Sequence, residues 1–293
     1  MNTTRWTTRD LLQWMTGTFT EKDLDSPRLS AEMLLAHVIG CERLRLYMET
    51  DRPATPAERD HLRALVKRAL QHEPVQYLVG EAHFFGMPFH VDRRVLIPRP
   101  STETIVETLL QHARAEPGFH DALVADVCTG SGCLAISIAT HLPSARVVAT
   151  DLSEDALDCA RANAARHGVE DRIDFIRGNL LDALDQHPVA RQQGALHALV
   201  SNPPYIPDHE WDDVPPNVRL HEPELALRGG ADGLDLVRPV LRDAAPRLRP
   251  GGILMVEVAA SHARDALGLV RDLHDATIIS DHEALDRVIF ARR

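Results

Sequence analysis

The stretch Asp126-Val127-Cys128-Thr129-Gly130-Ser131-Gly132-Cys133 decides the fold. It joins an apolar run of strand length, 122–128, to a helical pattern over 132–140. Strand, glycine-rich turn and helix in that order form the opening unit of a parallel α/β sheet. Gly130 and Gly132 permit a tight turn and a close approach of backbone to ligand. The next strand, 146–151, ends on Asp151, whose carboxylate can accept hydrogen bonds from a ribose diol. The third glycine of the dinucleotide fingerprint is absent, because Ala135 occupies its place, and Asp126 stands before the loop instead. An acid beside the loop suits a cationic ligand better than a pyrophosphate. S-adenosyl-L-methionine carries an ammonium, a sulfonium and a ribose, and it is the cofactor this pattern predicts. Cys128, Thr129, Gly130, Ser131, Gly132, Asp126 and Asp151 are its expected contacts. Asn179 and Leu180, after the third strand, are expected at the adenine.

Downstream, the alternation continues. Strands are predicted over 173–176, 195–201 and 253–259, helices over 153–166, 232–248 and 261–273, and a terminal strand pair over 277–280 and 287–291. The strand over 195–201 runs into Asn202-Pro203-Pro204-Tyr205. Two prolines lack ladder N–H groups and fix φ, so the strand stops at Ser201 and a stiff loop begins. In an open α/β sheet, ligands sit at the carboxyl ends of strands. Asn202 offers an amide acceptor and donor there, and Tyr205 a flat face. Both suit a substrate that is a planar amide or an exocyclic amine.

Composition bounds the alternatives. The 293 residues, 44% apolar, suffice for one large domain or two. A net charge of −11 argues against a protein that grips nucleic acid mainly by neutralising phosphates. The four cysteines form no C-x-x-C pair and share no metal-ligand spacing with histidine, so neither a metal site nor a disulfide framework is expected. The N-terminal segment 1–15 carries Arg5, Arg9 and Asp10 and has no apolar core of a signal peptide. No membrane span is predicted, and a reducing, cytoplasmic setting is expected.

Residues 1–80 read as a small helical bundle. A helix is predicted over 8–19, and Ser26-Pro27 and Gly40 bracket a second. Thr55-Pro56-Ala57-Glu58 reads as a capping box before a stripe of Leu62, Leu65, Val66, Ala69 and Leu70. Residues 81–98 read as a β-hairpin around Gly86 that links the bundle to the sheet domain, 99–293. A helical stretch follows over 102–114.

Across nearly its whole length the chain resembles the HemK-type protein-(glutamine-N5) methyltransferases, which modify peptide-chain release factors. The resemblance is carried by Leu96-Ile97-Pro98-Arg99-Pro100-Ser101-Thr102-Glu103, the Asp126–Gly132 loop, Asp151, Asn202-Pro203-Pro204-Tyr205-Ile206-Pro207, His221-Glu222-Pro223-Glu224-Leu225-Ala226-Leu227 and Gly229-Gly230-Ala231-Asp232-Gly233. Pro74-Val75-Gln76-Tyr77-Leu78-Val79-Gly80, closing the helical domain, adds to it. Cys128 and Cys133 are reminiscent of the sister branch that methylates a large-subunit ribosomal protein, whereas Pro98-Arg99-Pro100 favours the release-factor branch. The family's Glu-x-Gly element stands here as Glu257-Val258-Ala259.

The resemblance implies a Rossmann-like methyltransferase with a mixed sheet, a helical substrate-docking domain, and a release-factor glutamine in a Gly-Gly-Gln motif as methyl acceptor. Thr102 and Glu103 would lie over the cofactor pocket. Asn202 and the Pro203 carbonyl would accept the two amide N–H bonds, with Pro204 and Tyr205 against the planar group. A monomer without direct nucleic-acid contact is expected. A base amino-methyltransferase, the ribosomal-protein branch, a nicotinamide-dependent dehydrogenase and a non-catalytic nucleotide-binding module are the alternatives. The last two leave the Asn-Pro-Pro-Tyr element unexplained.

Overall fold

The structure is a computed structural model and describes residues 6–116, 118–119 and 121–293. Arg5, counted among the N-terminal charges, lies outside them. The chain divides into two compact units, one running through Glu81 with Pro215–His221, the other Ala82–Val214 with Glu222–Arg293.

The first unit holds α1 (Thr8–Glu21), α2 (Pro27–Ile39), α3 (Arg43–Met48), α4 (Pro56–Ala69) and α5 (Val75–Val79). The Thr55 hydroxyl accepts from Glu58 N–H while the Glu58 carboxylate accepts from Thr55 N–H, so the capping box forms. It aims Leu62, Leu65, Val66 and Ala69 at a core shared with Leu11, Met15 and Phe19 of α1 and Leu34 and Leu35 of α2. Leu70, the C-cap, is only half-buried. Gly40 ends α2 with φ +73, where glycine carries no Cβ penalty. Ser26 departs from expectation: it takes φ +46 and its side chain caps nothing, so Pro27 alone marks the start of α2.

The second unit opens with the hairpin β1 (Glu81–Phe84) and β2 (Met87–His90), turning through Phe85 and Gly86, both at positive φ. Then follow α6 (Glu103–Ala115), β3 (Leu123–Val127), α7 (Cys133–His141), β4 (Arg146–Asp151), α8 (Glu154–His167), β5 (Ile173–Arg177) and β6 (Leu196–Ser201). After a one-turn helix α9 (Pro216–Arg219), which belongs to the first unit, come α10 (Val237–Asp243), β7 (Leu248–Glu257), α11 (Ala263–Leu267), β8 (His274–Ser280) and β9 (Asp286–Arg292). The sheet order is β5-β4-β3-β6-β7-β9-β8. The first five strands are parallel, and β9 runs antiparallel to both β7 and β8. Central strands are buried on both faces, with one apolar cluster on each side, which is why they read as unbroken apolar runs. The chain winds outward from β3 through β5 and returns to β6 beside β3. That reversal is the point where an open sheet leaves a crevice.

Two helical expectations shrink. The stretch over 232–248 is helical only at α10. Pro246 then sits in a 3-10 turn, and the strand begins at Leu248, five residues earlier than expected. Arg249-Pro250-Gly251-Gly252 is absorbed into β7 because Gly251 N–H reaches Arg293 O and Arg293 N–H reaches Gly252 O. The helix over 261–273 ends at Leu267, with Gly268 at its C-cap. No helix among the described residues is long and apolar enough to cross a membrane.

Candidate active site

The loop after β3 is held by its own neighbours. Asp126 is fully buried; its Oδ2 accepts the Thr129 hydroxyl at 2.6 Å and Ala135 N–H at 3.0 Å, and its Oδ1 has no partner. Burial raises its carboxyl to about 7, against the pull of those two donors. Gly130, φ +55, donates its N–H to Asp151 Oδ2 at 2.9 Å, and Ser153 N–H donates to Asp151 Oδ1 at 2.9 Å. Burial raises the Asp151 carboxyl too, opposed by these backbone donors. Behind the loop, a Cβ on Gly132 would come within 2.9 Å of Ile136 and 3.1 Å of Ala160, so only glycine lets α7 pack on α8 here. Asn163 of α8, fully buried, donates to Ser131 O at 2.9 Å and to His90 O at 3.0 Å, tying the loop to the hairpin.

The loop after β6 is held from a distance. Asn202 Nδ2 donates to Thr102 Oγ1 at 3.0 Å, and Tyr205 OH donates to Glu257 Oε1 at 3.2 Å. The Ser101 hydroxyl donates to the same Oε1 at 3.2 Å. Two glycines press on the loop's other side. A Cβ on Gly229 would lie 2.8 Å from Tyr205 Cα, and one on Gly233 would lie 2.5 Å from Tyr205 O. Main-chain bonds from Ile206 N–H to Leu227 O and from Gly229 N–H to Ile206 O lock the contact. Nearby, fully buried Glu222 accepts Ile97 N–H at 3.0 Å and pairs with Arg99 at 2.5 Å. Burial raises its carboxyl, and Arg99 opposes the shift.

One pocket lies at the carboxyl edge between these loops. Cys128, Thr129, Gly130, Ser131, Asp151, Asn179, Leu180, Asn202, Pro204 and Thr102 all line it. Five expected residues do not. Asp126 sits beneath the loop and acts on it through Thr129 and Ala135, while Gly132 faces α8. Glu103 turns away, its carboxylate accepting Phe85 N–H at 2.7 Å in the hairpin turn. Pro203 is buried, and Tyr205 directs its hydroxyl to Glu257. The lining also includes Arg94, Val95, Leu96 and Pro98 after the hairpin and Pro223, Leu225 and Ala226 in the loop beyond α9. Their only signal in the sequence was the family-like context of the two segments. Ser101, Asn163 and Glu222 had no assigned role in the sequence reading, since their partners are far along the chain.

Chemically, the pocket fits a nucleoside with a cationic arm. Gly130 lines it at a φ that side chains avoid, and a Cβ there would meet no protein atom within 4 Å, so the loop leaves open space for a ligand. Asp151, at the end of β4, keeps its second lone pairs for a ribose, and Leu180, held at φ +43, offers an apolar face. Residues 10–80 match the family description "PrmC N-terminal domain" and residues 100–215 match "Methyltransferase small domain". The chain is 44% identical over 286 residues to the release factor glutamine methyltransferase of Chlorobaculum tepidum, covering 96% of each chain.

The chain belongs to the release factor glutamine methyltransferase family. The relative of the same name from Geobacter sulfurreducens is 40% identical over 289 residues, 98% of this chain and 97% of that one. Among solved structures, the hMettl16 catalytic domain in complex with MAT2A 3'UTR hairpin 6 aligns with a TM-score of 0.51 at 14% identity, over 71% of this chain and 76% of that one. That likeness shows the methyltransferase fold alone. S-adenosyl-L-methionine is the cofactor of the family.

Proposed function

We propose that this enzyme methylates the side-chain amide nitrogen of a glutamine in a peptide-chain release factor, within a Gly-Gly-Gln motif. The observation that carries the reading is Asn202, which lines the same pocket as Gly130 and Asp151 with its NH₂ group already engaged by Thr102. Cys128, Thr129, Gly130, Ser131, Asp151, Asn179 and Leu180 are the residues that would hold the cofactor, with Asp151 at the ribose. Bound S-adenosyl-L-methionine supplies an electrophilic methyl group on a sulfonium.

The acceptor is the harder partner, because an amide nitrogen's lone pair is delocalised into its carbonyl. Asn202 Oδ1 and the Pro203 carbonyl accept the two amide N–H bonds, fixing the nitrogen and favouring positive charge on it. Pro204 and Tyr205 pack against the amide plane. Such positioning supplies roughly 7–11 kcal/mol in well-oriented systems, and aimed acceptors add electrostatic stabilisation. Among the described residues the pocket lining holds no histidine and one carboxylate, Asp151, which is engaged by two backbone N–H groups. The amide proton therefore leaves to water once the nitrogen has become acidic.

We assign release-factor docking to the helical domain, 1–80, with 81–98 as linker and 99–293 as catalytic domain. Leu44 and Met48 on α3 are 69% and 78% exposed, an apolar face suited to a protein partner. The enzyme acts as a cytoplasmic monomer and needs no nucleic acid. Incubation with methyl-labelled cofactor and intact release factor, ribosomal protein or DNA tests the acceptor, and label on a release-factor glutamine is expected. Label on either other acceptor instead would overturn the reading. Leu44→Asp with Met48→Asp is expected to raise KM for intact release factor about tenfold, an interface cost of roughly 1–2 kcal/mol, and to leave cofactor affinity unchanged.

A further inference from the structure

Glu257 is fully buried at the carboxyl end of β7 and is absent from the pocket lining. A carboxylate taken out of water needs donors. Its Oε1 has two, Ser101 Oγ and Tyr205 OH, while Oε2 has no partner in hydrogen-bonding geometry. Burial raises the Glu257 carboxyl, and the first group pulling against it is the Thr102 hydroxyl, followed by Ser101 and Tyr205. Thr102, almost fully buried, does line the pocket, and its Oγ1 is the atom that accepts from Asn202.

The chemistry of these groups gives the chain a direction. An ionised carboxylate only accepts. A threonine hydroxyl has one proton and two lone pairs, so a proton committed to Glu257 leaves only acceptor capacity toward Asn202. Asn202 must then turn its NH₂ to Thr102, and its other end, Oδ1, becomes the atom it can offer to a ligand. With the opposite amide orientation, Asn202 would present two N–H groups to a substrate amide nitrogen that itself carries N–H groups.

We propose that Glu257, acting through Thr102, is a positioning residue that fixes the amide orientation of Asn202 so that its oxygen faces the methyl-accepting nitrogen. Through Ser101 and Tyr205 it also joins the segment before α6 to the loop after β6. The inference rests on the acceptor reading above, and its test separates the two. Wild-type enzyme that fails to methylate release factor rejects the acceptor reading, whereas the variants below address the relay in an enzyme that does.

Thr102→Val keeps the shape and removes the hydroxyl, Thr102→Ser restores it, and Glu257→Gln replaces an obligate acceptor with a group that can also donate to Thr102. Steady-state kinetics on release factor and calorimetric binding of S-adenosyl-L-methionine are measured on the full chain. Thr102→Val is expected to lower kcat about 10- to 100-fold, the size of a charge-assisted hydrogen bond expressed in the transition state, with cofactor Kd unchanged within about twofold. Thr102→Ser should recover kcat to within a few-fold of wild type. Glu257→Gln should fall with Thr102→Val, and in an Asn202→Ala background Thr102→Val should have no further effect. The relay is overturned if Thr102→Val keeps wild-type kcat, if Thr102→Ser falls as far as Thr102→Val, or if the loss persists in full in the Asn202→Ala background. Should Glu257→Gln fail to fold, the Thr102 pair and the double variant decide.

Discussion

The loops after β3 and β6 leave adjacent parallel strands and face one pocket, yet they are held in opposite ways. The first is stapled locally. Asp126 reaches donors three and nine residues ahead, and Gly130 meets Asp151 twenty-one residues on. The second depends on remote side chains, with Asn202 bonded to Thr102 across 100 residues and Tyr205 to Glu257 across 52. A locally closed loop suits cofactor binding, where backbone and a fixed acid do the work. A loop tied to two distant segments suits the acceptor side, where a single amide orientation matters.

The difference gives each loop its own failure mode. Asn202→Ala should cost about 10²- to 10³-fold in kcat, the range seen when a preorganised hydrogen-bonding group is removed at a reacting centre, with cofactor Kd unchanged. Single-turnover kinetics with calorimetry check it, and a loss of cofactor affinity of similar size would erase the division of labour. Gly132→Ala strikes the other loop. Its Cβ would enter at 2.9 Å from Ile136 at φ +82, so about 1–3 kcal/mol of stability should go. Cofactor affinity should fall with it, as thermal melts with and without the cofactor would show.

Asp126 sharpens the local side through pH. Burial raises its carboxyl from 3.8 to about 7, so the folded chain keeps this proton where the unfolded chain has lost it. Its contribution is therefore full below pH 3.8 and is lost as pH rises toward 7. Asp126→Asn should accordingly gain on wild type between pH 4 and pH 8 by on the order of 1–3 kcal/mol. Denaturant titrations across that range measure it, and a difference independent of pH would mean the carboxyl is ionised throughout. The smallest effect belongs to Ser153, whose side chain caps α8 by accepting Ala156 N–H. Ser153→Ala should cost about 1 kcal/mol by the same titrations.

Much of this was legible before any coordinates. The strand over 146–151 was read with the bounds of β4, and the glycine-rich turn, Asp151 and the strand-ending prolines all lie at the carboxyl edge where they were expected. The losses have a common cause. The helix over 232–248 failed because Pro246 and a strand pairing with Arg293 at the far end of the chain took its last residues. Glu103 resembled a pocket residue in sequence, yet a hairpin N–H eighteen residues earlier claims its carboxylate.

The sequence by itself determined the elements whose physics is local: which runs are buried strands, where proline ends them, where glycine admits a turn, and which strand ends carry an acid or an amide. Those choices depend on backbone sterics and on apolar periodicity within a few residues. The tertiary structure decided which polar groups meet. Nothing near Glu257 in the chain indicates that it gathers Ser101, Thr102 and Tyr205, and nothing near Asn202 indicates which way its amide turns. A buried hydrogen bond is satisfied by whatever the packed fold brings within 3 Å, and that proximity arises only when β3, β6 and β7 lie side by side.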